Sequence, residues 1–399
     1  MSSNFEPDED FILGSSDSEA NDTAPRSEIS TVPSESSSVV YGQESFSTFS
    51  TKVEALTIAL FPFAQILDIE RMTGGGYNRI IGVHLSNHER YVLRIPRLHP
   101  SFDELSNQVA VLRYIKEHST VQVPSVVRFD TTNQNPLGWS YALQCRIEGL
   151  PLSDYMPDLV SGDWKSLTDQ VAYVTSQICS LTFPSIGILR AEAPGDVSAL
   201  RFGLPPQFRE PDYDTPASPF DNTLAYLKQC FDIHIDNSLF EDPNAIWTPS
   251  LMRRLKDAVV ALAAEQPFSN RFSLLHEDYE ARNFLVTKNE SGRGCTDRSR
   301  LAVSHWLWTW DVRAKEGISD LADAIPESEE RKQIKEYFED QIERLVPGFM
   351  TARANNWEIR ELFYFATNGL ISNEDDRRAQ KYLRSKRRSM PLGSGVSAG

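Results

Sequence analysis

The segment Leu274 to Val286, LLHEDYEARNFLV, holds the residues best suited to chemistry. An apolar entry leads into His276-Glu277-Asp278, four residues separate Asp278 from Asn283, and Phe284-Leu285-Val286 returns the chain to an apolar, strand-like run. A carboxylate at 278 can accept a hydrogen bond from an incoming hydroxyl, and an amide oxygen at 283 can help hold Mg²⁺ on nucleotide phosphates. Phosphoryl transfer needs both. His276, two residues ahead of the acid, is placed to tie the loop to neighbouring backbone. The apolar flanks anchor both ends in the core, and rigid anchoring positions the acid. A His-x-Asp tripeptide alone is common in exposed turns. The weight lies in acid, amide and both apolar runs together.

A second element is Thr73-Gly74-Gly75-Gly76-Tyr77-Asn78, between two strand-like stretches. Glycines let backbone N–H groups approach phosphates closely, although three in a row also make a plain flexible hairpin tip. The turn gains weight from a cation on the next strand, where Tyr91 to Arg97 offers Arg94. A guanidinium can clamp phosphate oxygens, but its planar fork is bulkier than an ammonium group. The competing reading is a surface arginine on an edge strand that ends at Pro96. An orienting partner for Arg94 would come from the following helix, at Gln108 or at Glu104 one turn earlier.

These residues need elements to hold them. Val53 to Leu60 reads as an apolar helix, and ILDIERM, NRIIGVHL and RYVLRI read as three strands of an antiparallel meander, the last two joined by the turn Ser86-Asn87-His88. Asp103 to His118 has helical spacing, with Leu105, Val109, Leu112 and Ile115 on one face. Val121 to Phe129 and Trp139 to Ile147 look like two further strands, and Leu152 to Ala264 is mostly helical or irregular. Two helices follow, Glu330 to Val346 and Asn356 to Ile371. The expected organisation is a Ser/acidic disordered arm over 1–48, a strand-rich lobe over 53–148, a larger helical lobe over 149–383 and a flexible tail over 384–399.

The 399 residues carry 56 acidic and 40 basic side chains, a net charge of −16 that disfavours nucleic acid as the main partner. Cys145, Cys179, Cys230 and Cys295 lie far apart and form no zinc or disulfide pattern, which suits a reducing compartment. The acidic amino terminus resembles no secretory leader, and no apolar run is long enough for a membrane span. A soluble, cytoplasmic monomer is expected, with no membrane partner.

The motifs GGGYNRIIGV, YVLRIPR, NQVAVLRYI, YALQCRIEGLPL and LLHEDYEARNFLV together resemble the fungal-type aminoglycoside phosphotransferase and choline kinase family, over roughly Val53 to Arg384. The resemblance implies an α+β, protein-kinase-like bilobal fold with ATP and Mg²⁺ between the lobes. It also implies Gln144 to Ile147, including Arg146, near the adenine, Asp278 as base, and a small hydroxylated acceptor. Acids such as Glu210, Asp212, Asp214 and Asp221 offer a way to hold a cationic acceptor, or are ordinary surface acids.

The family carries a metal-gripping acid in a sequence like Ile-Asp-Trp-Asp on the strand after the catalytic loop. Here the chain runs NESGRGCTDRSRLAVSHWLWTWDV, and alternatives compete. Trp310-Asp311 is a remnant of the motif, with Asp311 holding Mg²⁺; or Trp306 to Trp310 matches the later WLW-type segment and the metal strand is lost between about Ser291 and Ala302. The order of the following elements favours the second, and Asp297 is a third candidate. The tryptophans at 306, 308 and 310 read as packing residues. Two functions follow: an active small-molecule phosphotransferase, or a pseudokinase that keeps the fold for binding.

Overall fold

The computed structural model describes residues 44–72, 77–97, 102–156, 161–193, 196–203, 220–241, 246–268, 272–274, 281–286, 295–296, 306–309, 325–326 and 328–389. It opens with helix α1 (Phe46–Leu60), then strands β1 (Ile66–Arg71), β2 (Asn78–Leu85) and β3 (Arg90–Pro96), helix α2 (Phe102–His118), and strands β4 (Val126–Asp130) and β5 (Tyr141–Cys145). The five strands form one antiparallel sheet in the order β1-β2-β3-β5-β4. Side chains alternate between its faces. Ile81, Val83, Leu85, Tyr91, Leu93, Ile95, Tyr141 and Leu143 point to one face, where Phe49, Val53 and Leu56 of α1 cover them. The opposite face meets α2 at the β4–β5 side, through Leu105, Val109, Leu112 and Ile115 against Phe129 and Ala142.

The Ser45 hydroxyl caps α1 by accepting the Thr48 N–H at 3.3 Å. The helix therefore begins at Phe46, inside the stretch expected as an arm. β4 is shorter than expected, because Val121 and Val123 are buried under α2 outside any strand.

Past β5 the chain leaves the sheet. β6 (Leu150–Pro151) pairs with β11 (Leu285–Val286), which also pairs with β12 (Cys295–Thr296). Helices α3 (Leu152–Tyr155) and α4 (Ser161–Ser180) follow, then β7 (Thr182–Phe183), which pairs with β10 (Phe272–Ser273). A hairpin of β8 (Ile188–Ala193) and β9 (Asp196–Gly203) interrupts the region expected to be helical or irregular. Helices α5 (Thr223–Glu241) and α6 (Trp247–Glu265) precede β10. After β12 come α7 (Trp306–Thr309), α8 (Glu329–Leu345), α9 (Phe349–Asn355), α10 (Trp357–Asn368) and α11 (Asn373–Ser389). α11 runs through residues 384–389, which sequence composition assigned to a flexible tail, and Lys386 is tied to Glu358 at 2.6 Å.

Two cores organise this helical half. Trp306, Leu307 and Trp308 are buried with Trp164, Val171, Phe284, Phe338 and Ile342, so these two tryptophans pack the α4–α8 contact as their spacing suggested, while Trp310 lies outside the described residues. Phe231, Leu255, Leu362, Phe365 and Tyr382 join α5, α6, α10 and α11. The architecture is α+β, an antiparallel sheet followed by a mainly helical remainder. No helix among the described residues is long and apolar enough to cross a membrane.

An ion pair clasps α10 to α11. Glu361, 8% exposed, takes two bonds from Arg378, Nε to Oε1 and Nη2 to Oε2, both at 2.5 Å. The guanidinium also lies 4.4 Å from the centre of the Tyr364 ring. Removing Glu361 takes both of these bonds from a largely buried guanidinium, so Glu361→Ala is expected to lower stability by about 3 kcal/mol. Urea denaturation checks this, and adding Arg378→Met recovers part of the loss. His234 of α5 faces the turn after α10, its Nε2 3.1 Å from the Ala366 carbonyl oxygen, which it reaches as a donor. Burial holds its imidazole below the ordinary value. Its contribution to stability is thus complete above the unfolded value of about 6.5 and is lost as pH falls toward the depressed folded one. Melting temperatures between pH 7.5 and 5 should fall less steeply for His234→Gln than for wild type.

Candidate functional site

The register of the sheet assembles one end of the site. Arg94 lies opposite Ile80 on β2 and Ala142 on β5, and Val92 lies opposite Gly82 and Gln144. Arg94, Val92, Gln144 and Gly82 therefore share the face turned away from α1. Arg94 sits on a central strand with neighbours on both sides, which removes the edge-strand reading. Its Nε is fully shielded, and among the described residues Arg94 has no hydrogen-bond or ion-pair partner. Burial lowers the pKa of its guanidinium, and among the described residues no charge offsets that effect. A buried cation without a counter-charge is costly, and an anion is what would relieve it.

Gln108 lies half-buried on α2, and no hydrogen bond joins it to Arg94, so the orienting role expected of it is unfilled here. The Glu104 side chain lies outside the described residues. Gln144 is buried, at 4% exposure, on β5. Tyr77 is 86% exposed, and its carbonyl accepts the Arg97 N–H at 2.9 Å. Asn78 opens β2 opposite Pro96. Gly74, Gly75 and Gly76 lie outside the described residues.

Arg146, just past β5, makes an ion pair through Nη1 with Glu70 of β1, and the same nitrogen lies 3.1 Å from His84 Nε2. His84 Nε2 is in turn 3.4 Å from Glu70 Oε2. This cluster was not anticipated. The alternation of ILDIER places Glu70 on a strand face, but its partner lies far along the chain and only the register reveals it.

The second half of the site is built around β11. Ala281–Asn283 forms a short 3₁₀ turn with Asn283 exposed. Phe284 behind it is fully buried, and its carbonyl accepts the Leu152 N–H at 2.8 Å. β11 lies between β6 and β12, so Asn283 is held by the anchoring its apolar neighbours suggested. His276, Asp278 and Asp311 lie outside the described residues, as do Asp297, Glu210, Asp212 and Asp214.

The sheet thus carries Arg94 on the face turned away from α1, and the 3₁₀ turn before β11 presents an exposed Asn283. The chain belongs to the phosphotransferase enzyme family, whose model matches residues 68–297. Two strains of Aspergillus fumigatus each have a protein described as a subtelomeric hrmA-associated cluster protein that is 29% identical over 124 residues. That match covers 31% of this chain, which spans about a quarter, 24%, of the relatives' length. Among solved structures, the streptomycin–ATP ternary complex of APH(2")-IIa is 11% identical with a TM-score of 0.44, covering 86% of this chain and 97% of that one. A putative fructosamine-3-kinase from Thermobifida fusca is 13% identical with a TM-score of 0.41, covering 86% and 99%.

The state of Arg94 has a thermodynamic signature. Arg94→Met removes a shielded charge that no described residue compensates, while keeping most of the apolar stem. In the absence of nucleotide this variant is expected to be more stable than wild type by about 1–2 kcal/mol in chemical denaturation.

Proposed function

We propose that this chain transfers the γ-phosphate of ATP to a hydroxyl of a small acceptor. The observation that carries the reading is Arg94, a guanidinium shielded on the central strand with no counter-charge among the described residues, on the face where a nucleotide phosphate would lie. Residues 53–148 form the nucleotide-binding half and 149–383 the catalytic and acceptor half. Asp278 accepts the proton of the attacking hydroxyl, and His276 holds its loop. The glycines at 74–76 approach the phosphates through their backbone N–H groups.

Magnesium, when bound, would neutralise charge developing on the phosphates. The amide oxygen of Asn283 is a hard donor suited to it. The pairing of β11 with β12 favours a specific second donor. Leu285 lies opposite Thr296, so β12 ends beside the strand that follows Asn283. Asp297 directly follows β12 and is the better metal acid than Asp311, which stands beyond α7.

A second reading, binding without turnover, is favoured by the sequence around that acid, Cys-Thr-Asp-Arg-Ser-Arg, which departs from the family's Ile-Asp-Trp-Asp pattern. One experiment separates the two. Thermal shift with ATP, with and without Mg²⁺, is combined with phosphate release for wild type, Asp278→Ala, Arg94→Met, Asp297→Asn and Asp311→Asn. The enzyme reading expects a metal-dependent shift, turnover lost in Asp278→Ala, nucleotide binding lost in Arg94→Met, and metal dependence lost in Asp297→Asn alone. Turnover unaffected by Asp278→Ala would remove the enzyme reading, and a wild type that ATP does not shift removes both.

A further inference from the structure

The residues between the sheet and the helical half are held more firmly than a connecting loop requires. The backbone N–H of Arg146 donates to the Arg90 carbonyl at 2.9 Å, extending the β3–β5 ladder by one bond. Its side chain reaches across β3 and β2 to Glu70 and His84. The room for that crossing exists because residue 82 is a glycine. A Cβ on Gly82 would stand 3.1 Å from Glu70 Oε2 and 3.4 Å from Arg146 Nη1. At the far end of the same segment Gly149 has φ +149°, and a Cβ there would come within 2.8 Å of the Val286 carbonyl oxygen. One end of residues 144–149 is thus bolted to the sheet that carries Arg94, and the other is pressed against the strand that follows Asn283. The Arg90–Glu148 pair, 3.0 Å long with both side chains well exposed, adds little to this.

We infer that Arg146, locked to Glu70 and His84 in the hollow left by Gly82, is a positioning residue that sets the 144–149 segment against the sheet and thereby sets nucleotide affinity. A guanidinium that met the nucleotide directly would present its donors outward. Arg146 instead commits Nη1 to a carboxylate and an imidazole nitrogen on the sheet. The adenine-side role expected for Arg146 from sequence becomes an indirect one: it holds Gln144 and the segment after it in place. The inference rests on the proposed binding of nucleotide at this face.

The test is isothermal titration of ATP with Mg²⁺ into the full chain, for wild type, Glu70→Ala, Arg146→Ala, the double variant, and Gly82→Ala. Each single alanine variant at the pair is expected to weaken binding about tenfold, roughly one factor of ten in Kd, and the double variant is expected to be no weaker than either single. Gly82→Ala removes neither partner but crowds both, and should weaken binding in the same direction. It also serves as the probe if a pair variant fails to fold. Affinities within twofold of wild type across the folded variants, whatever their melting temperatures, would overturn the inference and leave the proposed function standing. Losses that add in the double variant would overturn it too, by making Arg146 a direct contact. A wild type that does not bind ATP removes the proposed function and this inference together.

Discussion

The antiparallel register of β3 between β2 and β5 is the constraint on which the rest of the structure depends. Because side chains alternate, one register sorts the sheet into an apolar face under α1 and a mixed face that carries Gly82, Val92, Arg94 and Gln144. A slip of one residue would send Arg94 into the α1 core and bring Leu93 or Ile95 out, exchanging every role at once. That core is the guarantee of the site. Ile81, Leu93 and Ile95 are almost wholly buried beneath Val53 of α1, and a one-residue slip of β3 would expose Leu93 and Ile95.

The helical half solves a different problem. Strands β6, β11 and β12 are only two residues long, too short to hold position by their own ladders, so the 281–286 stretch relies on what packs beneath it. Phe284 is wedged against Trp306, with ring centres 5.1 Å apart, and Trp308 against Phe338 at 5.6 Å. The tryptophan run thus acts on the site at one remove, supporting the buried residue next to an exposed amide. The family assignment and the packing lead to the same view of this segment. Its described aromatic residues, Phe284, Trp306 and Trp308, pack the core.

Much of this was legible in the sequence wherever a pattern was local. β1 to β3, α2, α8 and α10 were readable from periodicity of two or of 3.6 residues with breakers at the ends, and Phe284 to Val286 from an unbroken apolar run. The β8–β9 hairpin was missed because its residues, ILRAEA and DVSALRFG, carry charges where a half-buried strand would show clean alternation. The helical end at 384–389 was read as tail because its composition is basic, whereas it forms by continuing a helix already anchored through Tyr382 and Leu383. Tertiary packing overrode composition there. The Glu70–His84–Arg146 cluster was illegible for a simpler reason. Its members are individually ordinary, and what makes them a unit is a cross-strand arrangement that no window along the chain contains.

Gly149 bears on how such a molecule can change over generations. Its backbone lies in a region that side-chain-bearing residues avoid, and a neighbouring carbonyl occupies the space a methyl group would take. This joint accepts one amino acid and offers selection nothing to adjust. Divergence in the separation or tilt of the two halves has to be written in the residues on either side of it. Sequence elsewhere in the helical half can vary while this joint stays fixed in kind.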